Sequence, residues 1–309
     1  MLDVKRLRIL REVAGRGSFS AAAESLYLSQ SAVSQQIATL EREVGMKLLE
    51  RTREGTRPTD AGRVLVDHAD AAIARLDEAE RELAAIAGLE GGEVRIASFP
   101  SASATLLTMA VSDFVERHPK VRLSVTEAEP EESMPQLRAG EIDLALTFDY
   151  PAVPESDERD IERTLLLTES MHVALPMNHP LAGQRKVRMA DLSEDVWLSG
   201  DCPSSCGEMV KRACRDAGFD PRVGFESDDY HVLQGFVAAG LGVTLLPDLA
   251  LPTLRSDIIV LPTDPPAPVR RVWAETRRTR AAATDAMLTV LSAAGERFAT
   301  EHSRLEAVA

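Results

Sequence analysis

Seven small or aliphatic side chains, Leu65, Ala69, Ala72, Leu76, Ala79, Leu83 and Ile86, recur at spacings of 4, 3, 4, 3, 4 and 3. A 3.5-residue apolar repeat held for three heptads reads as an α-helix with a continuous seam, and a seam of this kind calls for a second helix to cover it. Thr59, directly after Pro58, is a capping residue that can start this helix, and the glycines from Gly88 onward end it. Asp70, Arg75, Asp77, Glu78, Glu80, Arg81 and Glu82 take the other faces. The cover can be a second copy of the chain, or another helix of the same chain. Either way a long rod separates a small head from a large body. The expected division is a head over 1–58, a linker helix over 59–90 and a body over 91–309.

The head reads as three short helices and a hairpin. Leu7, Leu10 and Val13 lie on one face of a first helix that ends at Gly15 or Gly17. Ser18 caps a second helix from Phe19 to Leu26, whose Ala21, Ala22 and Ala23 let a neighbour approach closely. Ser29 caps a third, in which Val33, Ile37, Leu40 and Val44 form an apolar stripe stopped by Gly45. The opposite face carries Gln30, Ser31, Ser34 and Gln35, polar, uncharged and short enough to meet base edges or phosphates in a major groove. Two helices joined by a three-to-four-residue turn form a helix-turn-helix. The basic, turn-rich run Arg51-Thr52-Arg53-Glu54-Gly55-Thr56-Arg57 then suggests a hairpin wing whose arginines reach the DNA backbone. The competing reading is a small helical core with a solvated polar face.

Charge agrees weakly with the first reading. Residues 1–60 hold ten Lys/Arg and eight Asp/Glu, a net of +2, within a chain of net charge −14, so the remainder carries −16. A mildly basic front on an acidic body suits a DNA reader whose other surface avoids DNA.

The segment SFSAAAESLYLSQSAVSQQIATLEREVGMKLLERTREGTRPTDAG strongly resembles the N-terminal domain of LysR-type transcriptional regulators. The resemblance rests on Gly17-Ser18-Phe19, Ala22-Ala23, Ser29-Gln30, Ser34, Leu40-Glu41, Gly45, Arg51 and Thr59 with Gly62, in this order. Leu49 stands where the family usually has Phe, and Pro58 where it often has Leu. The resemblance implies DNA contact by Ser29, Gln30, Ser31, Ser34, Gln35, Arg51, Arg53 and Thr59. It also implies dimerisation through the linker helix, and dimers or tetramers on promoter DNA. Its implied partners are double-stranded promoter DNA, a small-molecule effector, RNA polymerase and copies of the chain itself, with no cofactor, no metal and no membrane.

Past the linker the pattern becomes strand–helix alternation: strand Glu93–Ser98, helix Ser101–Glu116, strand Val121–Glu127, helix Glu132–Ala139 and strand Ile142–Phe148. A second series follows, with strands Met171–Pro176 and Val196–Ser199, helix Cys206–Ala217, strand Val223–Phe225, helix Tyr230–Ala239 and strand Gly242–Pro247. Successive βα units imply a parallel sheet covered by helices. The stretch from Ile258–Pro262 through Arg270–Arg277 reads as strands crossing back, and a last helix from Ala281 to about Glu301 returns to the first lobe. The fold class is therefore α/β: a winged helix-turn-helix, a linker helix, and two lobes over about 91–165 with 270–309, and about 166–269. This body resembles the effector domain of LysR-type proteins, which is similar to periplasmic solute-binding proteins.

Ligands in such folds sit between lobes, beyond the carboxyl ends of strands. The candidate contacts are Ser98, Phe99, Pro100, Ser101, Thr147, Phe148, Ser204, Ser205 and Phe225. The serines sit where strands end and helices begin, which is equally where plain helix caps belong. Two helix starts facing one cleft favour a carboxylate or other anion, while Asp201, Glu226 and Asp228 argue the other way.

Cys202, Cys206 and Cys214 leave a redox-responsive regulator open as an alternative, but no histidine lies near enough in sequence to complete a zinc site. Six scattered histidines, no P-loop, no dinucleotide fingerprint and no nucleophile elbow argue against an enzyme, so an α/β enzyme with an appended DNA-binding head ranks lower. A pure solute-binding module ranks lower still. Met1 to Arg6 is not followed by a secretory signal, and the expected compartment is the cytoplasm.

Overall fold

A computed structural model describes residues 2–52, 55–86, 92–150, 160–200, 205–264 and 269–306. The chain divides into two compact units, residues 1–89 with 136–141, and residues 90–135 with 142–309.

In the first unit, α1 (Val4–Arg16), α2 (Phe19–Ser25) and α3 (Gln30–Val44) pack on one another and are followed by β1 (Leu49–Thr52), β2 (Gly55–Pro58) and α4 (Asp60–Ile86). Their boundaries follow from local chemistry. Asp3, Ser18 and Ser29 each accept a hydrogen bond from a first-turn backbone N–H, from Lys5, Ala21 and Ala32 respectively. Gly17 and Gly45 end α1 and α3 in left-handed conformations, φ 62° and 72°. Leu7, Leu10, Val13, Ala22, Val33, Ile37 and Leu40 form one buried cluster, which also takes in Ala69 and Ile73 of α4.

The antiparallel β1–β2 hairpin is the expected wing. It is pinned from two sides. Thr56 N–H donates to Gly17 O at 2.8 Å, and the N–H groups of Leu48 and Leu49 donate to Glu41 Oε1 at 3.0 and 3.4 Å. Thr59 joins wing to rod: its hydroxyl accepts from Gly62 N–H and donates to Lys47 O, at 3.1 and 2.8 Å. A Cβ at Gly62 would stand 2.0 Å from Leu48 O, so only glycine lets the rod start this close to the wing.

The apolar seam of α4 divides. Ala69 is buried against the head, while Ala72, Leu76 and Ala79 are exposed in the single chain, Leu76 by 45%. The side chains of Leu83 and Ile86, at the far end, lie outside the described residues, as does the joint expected at Gly88 and Gly91.

The second unit holds two lobes. The first contains β3 (Glu93–Ser98), β4 (Arg122–Glu127), β5 (Leu144–Asp149), β6 (Ile161–Glu169) and β12 (Arg270–Arg277), in the order β4-β3-β5-β12-β6. Helix α5 (Pro100–Ala102) runs through a π-helical turn, Ser103–Leu107, into α6 (Thr108–Arg117), and α7 (Pro130–Arg138) follows β4. The second lobe pairs β7 (Met171–Pro176) with β10 (Thr244–Pro247) and β11 (Ile258–Leu261), and β8 (Val196–Ser199) with β9 (Arg222–Glu226). Helices α8 (Ser205–Asp216) and α9 (Tyr230–Ala238) cover these strands, and α10 (Ala282–Glu306) packs on α6 and β6 of the first lobe.

Three expectations need correction. The five-stranded sheet is mixed and the β10-β7-β11 sheet antiparallel, so of the described sheets of the two lobes only the β8–β9 pair is purely parallel. β3 pairs in parallel with β4 and β5, but β12 runs antiparallel to β5 and β6, because it brings the chain back from the second lobe while β6 carries it out. The first sheet extends through Glu169 by way of β6, a strand that its sequence pattern does not reveal. Ile258–Leu261 does not cross back: it pairs with β7 inside the second lobe, and β12 alone makes the return. No helix among the described residues is long and apolar enough to cross a membrane.

Candidate functional site

On the head, helix α3 is sharply two-sided. Val33, Ile37 and Leu40 are buried, while Gln30, Ser31, Ser34 and Gln35 are exposed along the opposite face. Ser29 is exposed, caps the helix and stands 3.0 Å, hydroxyl to hydroxyl, from Ser31. Five exposed polar residues without a carboxylate among them make a surface that can approach a polyanion. The backbone of Arg51 lies in β1, its side chain lies outside the described residues, and so does the whole of Arg53. Thr59 spends its hydroxyl on the wing–rod junction described above.

Tyr27 was missed in sequence. It is the only described non-glycine residue with positive φ (53°), and its side chain is 97% exposed in the turn before α3. The flanking Leu26 and Leu28 disguise it as part of a short apolar run. At the edge of the wing, burial works to raise the Glu41 carboxyl, but hydrogen bonds from Lys47, Leu48 and Leu49 outweigh it and hold the group below the ordinary range. Glu41 thus stays charged and anchors the hairpin.

In the body, Ser101, Phe99 and Phe148 converge on a residue absent from the sequence-based candidates, Arg270. Its guanidinium is fully buried, with Nη2 donating to Ser101 Oγ at 3.0 Å and Nε donating to Glu169 Oε1 at 2.6 Å. The rings of Phe99 and Phe148 meet edge to face at 4.9 Å, and each centroid lies 5.0 Å from the guanidinium carbon. Tyr230 lies on the other side at 6.0 Å. Glu169 is closed by the backbone N–H of Leu249, 2.8 Å from Oε2. Burial pushes the Glu169 carboxyl up, against the pull of Arg270 and the Leu249 N–H. Arg270 Nη1 has no hydrogen-bond partner among the described residues. Nothing marked Arg270 in sequence, because one of two adjacent arginines at the start of a strand must face each side of the sheet.

The other candidates fall in different places. Ser98 is fully buried and its hydroxyl donates to Phe99 O. Pro100 opens α5. Thr147 does not join Ser101: as neighbour of Phe148 in a strand it faces the opposite side of the sheet, where its hydroxyl donates to Glu275 at 2.7 Å beside Arg163. Phe225 packs on Phe236 at 4.2 Å. Ser204 lies outside the described residues. Ser205 N–H and hydroxyl both donate to Glu131 Oε1 from α7, at 3.3 and 2.7 Å, so a carboxylate of the first lobe sits at the start of a helix of the second.

Cys206 sits within hydrogen-bonding distance of the Tyr150 and Tyr230 hydroxyls, at 3.7 and 3.5 Å. Burial pushes its thiol up, and burial with Asp220 pushes Cys214 up to about 12. Both remain thiols near neutral pH and react poorly. They lie on one helix, eight residues apart, a rise of about 12 Å that no disulfide spans without breaking α8. Cys202 lies outside the described residues, and no group of three His, Cys, Asp or Glu side chains among the described residues could hold a metal ion.

Residues 87–296 match the family model for the LysR substrate binding domain, and residues 4–63 that for the bacterial regulatory helix-turn-helix protein, lysR family. The chain is 32% identical over 247 residues to the transcriptional dual regulator GltC of Bacillus subtilis, covering 80% of this chain and 81% of that one. It is 31% identical over 274 residues to the DNA-binding transcriptional dual regulator OxyR of Escherichia coli, covering 88% of each. Among solved structures, a full-length OxyR from Pseudomonas aeruginosa superposes with a TM-score of 0.67 at 22% identity, over 96% of this chain and 95% of the other.

Proposed function

The chain belongs to the LysR family of bacterial transcriptional regulators, and from that membership we propose that it binds promoter DNA as a homo-oligomer and changes transcription when a small molecule occupies the cleft between the lobes of its body. The family is one of regulators, not enzymes, and its members GltC and OxyR carry the name of dual regulators. Residues 1–58 serve as the DNA-binding head, 59–90 as the dimerising linker and 91–309 as the effector-binding body. The cytoplasm, where promoter DNA and RNA polymerase are found, is the compartment this function requires.

The observation that carries the reading is the two-sided third helix. Its buried stripe holds it in the head, and its exposed stripe of Gln30, Ser31, Ser34 and Gln35 is free to enter a major groove. Ser29 supports the helix start, Arg51 and Arg53 act from the wing on phosphates, and Thr59 keeps wing and rod in register. In the body, a ligand acts if it binds one lobe arrangement better than another. Arg270 is placed for this role, since it touches Ser101 in the first lobe while Glu169 ties it to the segment that follows β10.

Gel shifts at several salt concentrations test the DNA interface. Gln30→Ala and Ser34→Ala each relax sequence preference, at about 1–3 kcal/mol per lost base contact. Arg53→Ala weakens all sites alike and reduces the salt slope by about one unit. Unchanged binding in the triple variant rules the interface out.

A further inference from the structure

Gly17, Gly45, Gly55, Gly140, Gly218 and Gly240 hold every positive φ among the described residues but one. The exception is Tyr27, at 53°. A side chain in the left-handed region is strained by the approach of its Cβ to the backbone, and for this reason glycine usually holds the position just past a helix end. The contrast stands within one small head: α1 and α3 end through Gly17 and Gly45, whereas α2 leaves its last turn through a tyrosine. The turn is nonetheless fully hydrogen-bonded. The N–H groups of Leu26, Tyr27 and Leu28 donate to Ala22 O, Glu24 O and Ala23 O, at 3.0, 3.2 and 2.9 Å. The backbone therefore fixes where the Cβ of Tyr27 points.

The ring returns almost nothing to its own chain. It is 97% exposed, so it gains nothing from burial. A lone exposed aromatic is ordinary. One kept at a strained position, which glycine fills without that strain, points to a partner outside the chain.

The surroundings of Tyr27 identify the partner. It stands two residues ahead of Ser29, the cap of α3, and residues 27–31 are exposed without a break. Between Glu24 and Glu41 the sequence holds no Asp or Glu, so this stretch carries no carboxylate to repel a polyanion. In a helix-turn-helix the start of the second helix meets base edges while the first crosses the backbone, so the turn between them lies over phosphates. Two residues of chain span at most about 7 Å, against a major groove about 12 Å wide. A residue that far ahead of a helix tip seated in the groove falls at its rim. There a phenol O–H can donate to a phosphate oxygen.

We propose that Tyr27 is a DNA-contacting residue, whose hydroxyl donates to one backbone phosphate at the rim of the major groove in each half-site and so fixes the seat of α3. This rests on the reading of α3 as the DNA-reading helix.

Binding of the full-length protein to two duplexes tests it. One carries a sequence recovered from genomic DNA by selection with the parent; the other is unrelated and of equal length. Tyr27→Phe keeps the ring and the turn, and weakens both duplexes about fivefold for each head bound. Tyr27→Gly relieves the turn and melts no lower than the parent, yet weakens both about tenfold for each head. The salt slope stays that of the parent, because a neutral phenol releases no counterion. Replacing single phosphates with uncharged methylphosphonate locates the contact: one position in each half-site weakens the parent and leaves Tyr27→Phe unaffected. Parent affinity in Tyr27→Phe overturns the assignment, and so does a loss confined to the recovered sequence, which marks a base contact instead. An identical methylphosphonate profile in parent and Tyr27→Phe overturns it as well. If the parent recovers no sequence and binds no duplex, the reading of α3 falls and takes the assignment with it. If Gln30→Ala with Ser34→Ala erases sequence preference while the Tyr27 variants bind like the parent, the assignment alone falls.

Discussion

Arg270→Met lowers the unfolding free energy of the body by about 3–5 kcal/mol at pH 8, the cost of leaving a buried carboxylate without its cation. Glu169 is the group left behind. It lies at the end of β6, it is 2% exposed, and in the variant its remaining described hydrogen-bond donor is the Leu249 N–H. Its carboxyl, already raised by burial, rises further once Arg270 no longer pulls it down. A group whose folded pKa lies above its unfolded value contributes stability below the unfolded value and loses it as pH rises. The variant's deficit is therefore smallest near pH 5 and grows toward pH 8. Both tryptophans, Trp197 and Trp273, lie in the body, so denaturant melts followed by fluorescence report on it without the head. Pairing Arg270→Met with Glu169→Leu recovers much of the loss, because two apolar groups in a buried site leave no charge unmet. A single variant as stable as the parent at pH 8 contradicts the buried pair.

The residues of this cluster explain what could be read in advance and what could not. Strand β7 and the starts of α2 and α9 stand out in sequence, since an apolar run ends at Pro176 in the first and Ser18 and Asp229 cap the other two. The head was legible almost throughout, because the residues that carry its pattern each act locally. Ser18 and Ser29 cap, Gly17 and Gly45 stop, Glu41 anchors, and Gly62 admits the Leu48 carbonyl. Strand β6 was hidden because its Leu165-Leu166-Leu167 run obscures alternation, and its pairing with β12 slips by a residue beside Trp273. The cleft was legible only by position. Ser98 and Ser101 lie at a strand end and a helix start, as the sequence pattern implies. Which hydroxyls are already spent depends on partners more than a hundred residues away, such as Arg270 for Ser101 and Glu275 for Thr147. Periodicity carries no such information.

Leu76→Asp raises the dissociation constant of the dimer at least about a hundredfold. Leu76 is 45% exposed beside the exposed Ala72 and Ala79, an apolar strip that the described residues leave uncovered. A partner helix that covers the exposed part gains about 0.7–1.4 kcal/mol from each leucine, somewhat under half the value for full burial, and in a two-fold pair the residue counts twice. The substitution removes that gain from both copies and adds a carboxylate to a closing apolar seam, where it cannot be solvated cheaply. Sedimentation equilibrium reads the change, and unaltered tryptophan fluorescence shows that the body remains folded. Operator affinity falls with it, because a palindromic site is read by two heads held at fixed spacing. A variant that dimerises as the parent does places the dimer contact elsewhere than this seam.

Selection of binding sites from fragmented genomic DNA by the full-length protein tests the central claim most directly, that α3 and the wing of a two-fold dimer read promoter sequence. The recovered fragments are predicted to share an inverted repeat whose half-sites lie one helical turn, or a small multiple of it, apart, and Gln30→Ala with Ser34→Ala is predicted to erase that enrichment while leaving salt-dependent binding in place. Fragments with no shared repeat, or an enrichment that survives both substitutions, contradict it.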